Sequence, residues 1–403
     1  MVISALKTLK NKIESVSLTR FRSISKVLLF GILIRLLLAV YLSHDWDFQV
    51  WYVSFADIVA GLRSPYTAMN FSYPPIWAFT LTPFASLFSL LANSHDGLVR
   101  VSLGGPIIAA THPLFNLLVR LPLIASEVFI GLLIYDHVLK FKNENMAYKA
   151  FILWFLNPFV IFVSCVFGQF DVLVTLMVVL AFVFFLEKKY ALCGLSIGLG
   201  ALTKIYPIYL LPLYMIFTLK IDLKEKSKRL IIAKDTLQHC GLIFGGLLLS
   251  LFLIIPPLII SGSFYNFVQA VLRRTDYITS LGGISPTNAI YILGPDVFVW
   301  LNEPGRPQFI FSALSIVLWV STLAVSLYYS FRSKLSSDHQ RFLYIQTLTI
   351  VCLYLAALMV NPQYVIWIIP FLVLCYGIYG NYFKRIIILS VSALLFALFW
   401  IKP

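Results

Sequence analysis

Long apolar runs recur along the whole chain, near residues 27–43, 75–92, 113–139, 150–167, 171–186, 190–219, 239–261, 308–331, 342–360, 363–379 and 386–401, with a weaker one at 285–303. Short polar connections separate them. Runs of this kind read as helices, because a helix satisfies its own backbone when lipid replaces water around it. Several fall short of the ~20 residues that cross a bilayer, so some are expected to be short, broken or paired. The 190–219 run is expected to be two short halves meeting near Lys204 and Pro207. Residues 75–112 are expected to return to the side they left, as a re-entrant hairpin or as two crossings. The pattern predicts an all-α, polytopic transmembrane helical bundle of about 11 to 13 spans. It forms a single integral membrane domain over residues 1–403.

Composition agrees. Of 403 residues, 60% are hydrophobic and 12% charged. A soluble domain carries about 25% charged residues, so this chain has too little polar surface for a soluble enzyme or a disordered chain. The net charge is +14. The basic residues sit in clusters at 1–26, 140–149, 188–189, 220–234, 332–341 and 384–385, which together hold 22 of the 31. Short basic connections mark the cytoplasmic side, and no basic groove interleaved with aromatics points to nucleic acid. The basic stretch 1–26 is expected to be cytoplasmic, and the apolar run after it to be a retained first helix. The five cysteines, Cys165, Cys193, Cys240, Cys352 and Cys375, read as small buried apolar residues. The six histidines show no metal-ligand spacing.

With those clusters inside, the outer segments are 44–74, 168–171, the turn near Lys204, the large loop 262–307 and 361–364. They hold Asp45, Asp47, Asp57, Asp171, Lys204, Arg273, Arg274, Asp276 and Gln363 among many aromatics. One face thus looks like anchoring and the other like a site. On a helix over 47–61, Asp47, Ser54, Asp57 and Gly61 form one polar stripe on an apolar cylinder. That is the pattern of an interfacial helix in the first outer loop. Asp45 and Asp47 either solvate a helix end or place a carboxylate at the water–lipid boundary. The Gly61 to Tyr66 and Tyr73 to Pro75 turns then fix the loop over the same face.

The run Asp45-x-Asp47-Phe48-Gln49-Val50, then Gly61-x-x-Ser64-Pro65-Tyr66 and Tyr73-Pro74-Pro75, resembles the first luminal loop of the GT-C glycosyltransferases. Within them it is most similar to the catalytic subunit of GPI mannosyltransferase I, and also to family 87 enzymes, which carry one aspartate in the place of Asp47. Trp154-x-x-Asn157-Pro158, Gly168-x-x-Asp171 and Thr203-Lys204-Ile205-Tyr206-Pro207 follow in the family's order, so the resemblance covers residues 44–215. Asn361-Pro362-Gln363-Tyr364 resembles a Pro-Gln-Tyr before a late helix in related enzymes. The resemblance implies an inverting transferase that moves a mannosyl or other hexosyl unit from a polyprenyl- or dolichyl-phosphate carrier to a glycan or glycolipid acceptor. The implied location is the ER membrane in a eukaryote, or the cell membrane in a prokaryote, with the site on the outer or luminal face.

Such a transfer needs a carboxylate as general base, and the expected catalytic residues are Asp47, with Asp45 as helper. The phosphate leaving group requires no cofactor, although Asp45 and Asp47 also offer a hard oxygen-rich site to a divalent metal. Lys204 lies in an apolar stretch, where a charge is expensive. It either snorkels or neutralises the donor phosphate. Arg273 and Arg274 offer guanidinium forks for phosphate or pair within their loop. Asp171, beside Gln169, either caps a helix or binds sugar hydroxyls. Gln363, Tyr364, Tyr66 and Tyr73 complete the candidate binding residues. Arg35, Arg120, Glu127 and Asp136 fall within spans, and Glu127 is expected to pair with Arg120 two turns away. Two other readings compete. A transporter or flippase would show internal repeats and midplane charges, and the halves show no convincing repeat. A noncatalytic subunit would not need chemically sorted outer loops, though an accessory subunit is compatible with either reading.

Overall fold

The computed structural model describes residues 18–41, 51, 66, 73–92, 98–101, 108–223, 229–269, 338–356 and 361–400, with isolated positions between 317 and 328. The architecture is helical, as expected. Helix α1 spans Leu18–Tyr41 and α2 spans Pro75–Leu91. Helix α3, Pro113–Phe141, starts sharply because Pro113 occupies its first position and the His112 Nδ1 accepts from the Leu114 amide at 3.1 Å. Helix α4, Glu144–Phe155, is capped by the Asn143 side chain, which accepts from the Met146 amide at 3.0 Å. The chain bends by 42° after α4 and continues through α5, Pro158–Ile161, and a π turn, Phe162–Val166. Helices α6, Asp171–Leu186, and α7, Tyr190–Ala201, come next.

A 3-10 turn, Tyr206–Leu210, leads into α8, Leu211–Leu223. The 190–219 run is therefore the pair of halves expected, broken at residues 202–205. Helix α9 spans Arg229–Ile260 and α10 spans Asp338–Ala356. A second 3-10 turn, Pro362–Trp367, precedes α11, Ile369–Tyr379, and α12 is Phe383–Trp400.

Among the described residues, Pro113–Phe141, Asp235–Ile260 and Pro362–Tyr379 are long and apolar enough to cross a membrane, with a fourth span if the bent pair counts as one. Shorter apolar helices stand at Pro75–Phe88, Asp171–Leu186, Tyr190–Ala201 and Tyr206–Thr218. The expected runs at 285–303 and 308–331 fall almost wholly outside the described residues. The stretch 75–112 is not a pair of helical crossings among the described residues. It holds one helix, α2, followed by an antiparallel strand pair, β1 Leu98–Val101 with β2 Ile108–Thr111, in the register Leu98 to Thr111 and Val101 to Ile108. Among the described residues, no second helix crosses back there.

Helix α7 packs on α9 with backbones in direct approach. A Cβ added at Gly194 would lie 1.8 Å from the Ile243 carbonyl oxygen, and one at Gly246 would lie 2.0 Å from the Ala191 carbonyl oxygen. Small residues allow this close crossing, which suits helices in lipid. The opposite face of α9 exposes Leu248, Leu249, Phe252 and Ile260, as a lipid-facing helix does.

Candidate functional site

Three interruptions of helix meet at one place: residues 167–170 before α6, residues 202–205 after α7, and the 3-10 turn Pro362–Trp367. Irregular backbone inside a membrane bundle is tolerated where protein or a cavity surrounds it. Gly168 makes the first break possible, because its φ of +69° is left-handed and costs a glycine little. The Gln169 amide donates to the Val163 carbonyl at 2.9 Å and fixes the turn. Asp171 is then the first residue of α6.

The Asp171 carboxylate gathers the three breaks. Lys204 Nζ donates to its two oxygens at 2.8 and 3.0 Å, and Trp367 Nε1 donates to Oδ1 at 2.8 Å. Asp171 is fully buried and the Lys204 side chain is 15% exposed. The Trp367 ring lies between Tyr206, 3.9 Å away, and Tyr364, 4.3 Å away, both stacked on it. Lys204 Nζ sits 4.1 Å from the Tyr364 ring centre and 5.6 Å from that of Phe170. The lysine is held by a carboxylate and by aromatic faces at once.

The first outer loop reaches the same cluster. Trp77 stacks on Phe170 at 5.0 Å, Tyr73 meets Phe170 edge-on at 5.1 Å, and Trp51 packs against Trp77 at 5.3 Å and Phe170 at 6.3 Å. The Ile76 amide donates to the Leu202 carbonyl at 3.0 Å, which ties the start of α2 to the break beside Lys204. Tyr66 donates to the Tyr73 carbonyl at 2.9 Å and packs on Phe267 at 5.4 Å, and burial pushes its hydroxyl above the usual tyrosine range. Trp77 Nε1 and Gln363 Oε1 are among the buried polar atoms with no hydrogen-bond partner among the described residues.

Of the expected site residues, the structure brings together Lys204, Asp171, Gln169, Tyr66, Tyr73, Gln363 and Tyr364. Asp45, Asp47, Arg273 and Arg274 lie outside the described residues, as does the expected interfacial helix apart from Trp51.

Three expectations are corrected. Lys204 does not snorkel, because it turns inward onto Asp171. Asp171 is not a helix cap, because Phe170 holds that position with no side-chain capping bond and the carboxylate goes to Lys204 and Trp367. Glu127 pairs with Arg35 on α1 and not with Arg120. Arg120 donates instead to backbone carbonyls. Sequence reading missed Trp367, Trp77 and Phe170 as members of the cluster. Trp367 had one signal, its place three residues after Tyr364 in an aromatic segment. No cluster of three or more His, Cys, Asp or Glu residues gathers among the described residues.

A family model described as GPI transamidase subunit PIG-U matches residues 63–282. That span contains Tyr66, Tyr73, Asp171, Lys204, Arg273 and Arg274. A curated relative, GPI mannosyltransferase 1 of Dictyostelium discoideum, is 28% identical over 204 residues. The alignment takes in 47% of this chain and 39% of the relative, so the chain spans well under two thirds of that protein's length.

Proposed function

The chain belongs to the PIG-U family, and from its likeness to GPI mannosyltransferase 1, together with the site described above, we propose that it is a membrane-bound glycosyltransferase of the GT-C type. It takes a mannosyl or other hexosyl unit from a polyprenyl- or dolichyl-phosphate carrier and gives it to a glycan or glycolipid acceptor. The observation that carries the reading is Trp51. It is fully buried against Trp77 and Phe170, next to Asp171. Asp47 is only four residues before it, and four residues of chain reach at most about 14 Å. In this reading the acidic loop and the Asp171–Lys204 pair serve one site.

In this reading Asp47 takes the acceptor proton as its oxygen attacks C1 of the donor, assisted by Asp45. The C1–O bond to phosphate breaks, a new C1–O bond forms on the opposite face, and the lipid phosphate leaves as an anion. Arg273 and Arg274 hold that phosphate. Because Lys204 is already neutralised by Asp171, the pair serves the sugar with Gln169, Gln363 and Tyr364, while Tyr66 and Tyr73 shape the loop above it. A divalent ion held by Asp45 and Asp47 would steady the acceptor. The whole chain is one membrane domain in the ER or an equivalent membrane, with its site on the luminal or outer face, and it works with or without an accessory subunit. The family's description as a transamidase subunit favours a second reading, in which the same site holds a glycolipid without transferring it.

One experiment separates the readings. Purified protein and an Asp47→Asn variant are given polyprenyl-phosphate carrying radiolabelled mannose, together with a membrane glycolipid extract. Transfer by the wild type, lost in a folded variant that still binds donor, supports the transferase. Donor or glycolipid binding with no transfer by either protein overturns it in favour of the noncatalytic subunit. Unchanged transfer by the variant removes Asp47 as base and moves the role to Asp45.

A further inference from the structure

Arg120 is fully buried on α3. Its Nη1 donates to the carbonyls of Ala39 at 3.2 Å and Asn116 at 3.1 Å, and its Nη2 donates to the carbonyl of Val166 at 3.2 Å. One turn earlier on α3, Asn116 Nδ2 donates to the carbonyl of Val40 at 3.3 Å. Ala39 and Val40 stand in the last turn of α1, and Val166 ends the π turn. Two side chains of one helix thus hold the carbonyl ends of two other elements. The last four carbonyls of a helix have no partner within it, and a cation there also meets the negative end of the helix dipole.

Each of these two ends leads directly into residues of the site. Asp45 and Asp47 come five and seven residues after Val40. Gly168 and Asp171 come two and five residues after Val166. A guanidinium is a planar fork with fixed spacing between its donors. Holding Ala39 and Val166 on the two arms of one fork sets the distance between the exit of α1 and the exit of the π turn. Glu127, on the same helix as Arg120, is engaged elsewhere, with Arg35.

We propose that Arg120 is a positioning residue, which through the Ala39 and Val166 carbonyls registers the end of α1 against the helix break that carries Asp171, with Asn116 as its second tie. This rests on the transferase reading for its effect on turnover, but not for its effect on structure. A shift of about 1 Å in such a register costs on the order of a hundredfold in rate.

The test uses full-length protein with Arg120→Lys, Arg120→Met and Asn116→Ala. Lysine keeps the charge at the helix ends and loses the fork. Hydrogen exchange is followed in peptides covering residues 36–47 and 162–174, and in α9 as an internal reference. The expected result is faster exchange in both peptides together, with α9 unchanged, in the Lys variant as in the Met variant. Asn116→Ala should affect the 36–47 peptide alone. With a lipid-phosphate donor, the Lys variant should lose kcat on the order of a hundredfold and keep its KM. Unchanged exchange in both peptides, exchange rising equally throughout the bundle, or wild-type kcat in the Lys variant each overturns the proposal. If the Met variant does not fold, the Lys and Asn116 variants decide. If the wild type turns over no donor, the transferase reading fails while the exchange data still decide the role of Arg120.

Discussion

Among the described residues two buried ion pairs stand in this bundle, and they differ in what surrounds them. Arg35 and Glu127 join α1 to α3 with both side chains fully enclosed. Arg35 also donates to the carbonyls of Gly31 at 3.0 Å and Phe155 at 2.6 Å, with its guanidinium carbon 4.1 Å from the Phe155 ring centre. Trp154 closes the other side by donating to the Glu127 carbonyl at 2.9 Å. Both partners sit within continuous helices. Asp171 and Lys204 stand at two helix breaks, with Lys204 partly exposed. The same charge chemistry is sealed in one place and open in the other. Enclosure and unbroken helix mark a pair that holds the bundle together, whereas in the proposed function the pair with broken helix and residual exposure is the one that meets a ligand.

The sealed pair should give the largest effect. Glu127→Ala leaves Arg35 charged and enclosed, and breaking such a pair costs about 3–5 kcal/mol. Thermal or denaturant unfolding in detergent measures this. Replacing both partners, Arg35→Met with Glu127→Leu, should recover most of the loss, since a buried pair and a well-packed apolar pair are often of similar stability. A double variant as unstable as Glu127→Ala would mean that the carbonyl bonds of Arg35, and not the pair, hold α1.

Asp171→Asn should cost less, about 2 kcal/mol, because Lys204 can reach water and the amide still accepts from Trp367. Its effect on ligand should be the larger one, with donor or glycolipid binding falling at least tenfold while the protein stays folded at working temperature. If Asp171→Asn destabilises as much as Glu127→Ala and leaves binding intact, the contrast between the two pairs collapses.

Much of this contrast could be read from the amino-acid order, and the rest depended on geometry. Lys204 before Pro207 announces a broken helix, because a proline removes a backbone donor and a lysine in an apolar run is expensive. Gly168 followed by Asp171 signals the second break in the same way. The partner of Glu127 was not legible. Arg120 lies on the same helix and Arg35 is 92 residues away in sequence, so only the packing of α1 on α3 could decide between them. The strand pair was missed for a different reason. Residues 98–111 are apolar enough to pass as part of a crossing, and the turn signal between the short strands, Gly104-Gly105-Pro106, is brief beside that apolar pattern. The acidic and arginine parts of the proposed site, Asp45, Asp47, Arg273 and Arg274, rest on the sequence, while Trp367 rests on the structure.

The smallest effect is the one that sharpens the comparison most. Trp367→Phe keeps an aromatic ring between Tyr206 and Tyr364 but removes the indole N–H that donates to Asp171. If the Asp171–Lys204 pair is open, water replaces the lost donor and unfolding should shift by only about 1 kcal/mol. Lys204 should then react faster with an amine-acylating reagent, since its carboxylate partner is held less firmly. A loss as large as that of Asp171→Asn, with no change in lysine reactivity, would place this pair in the sealed class with Arg35 and Glu127. The ligand site would then lie on the loop side, toward Tyr66 and Tyr73, with the pair acting only as its floor.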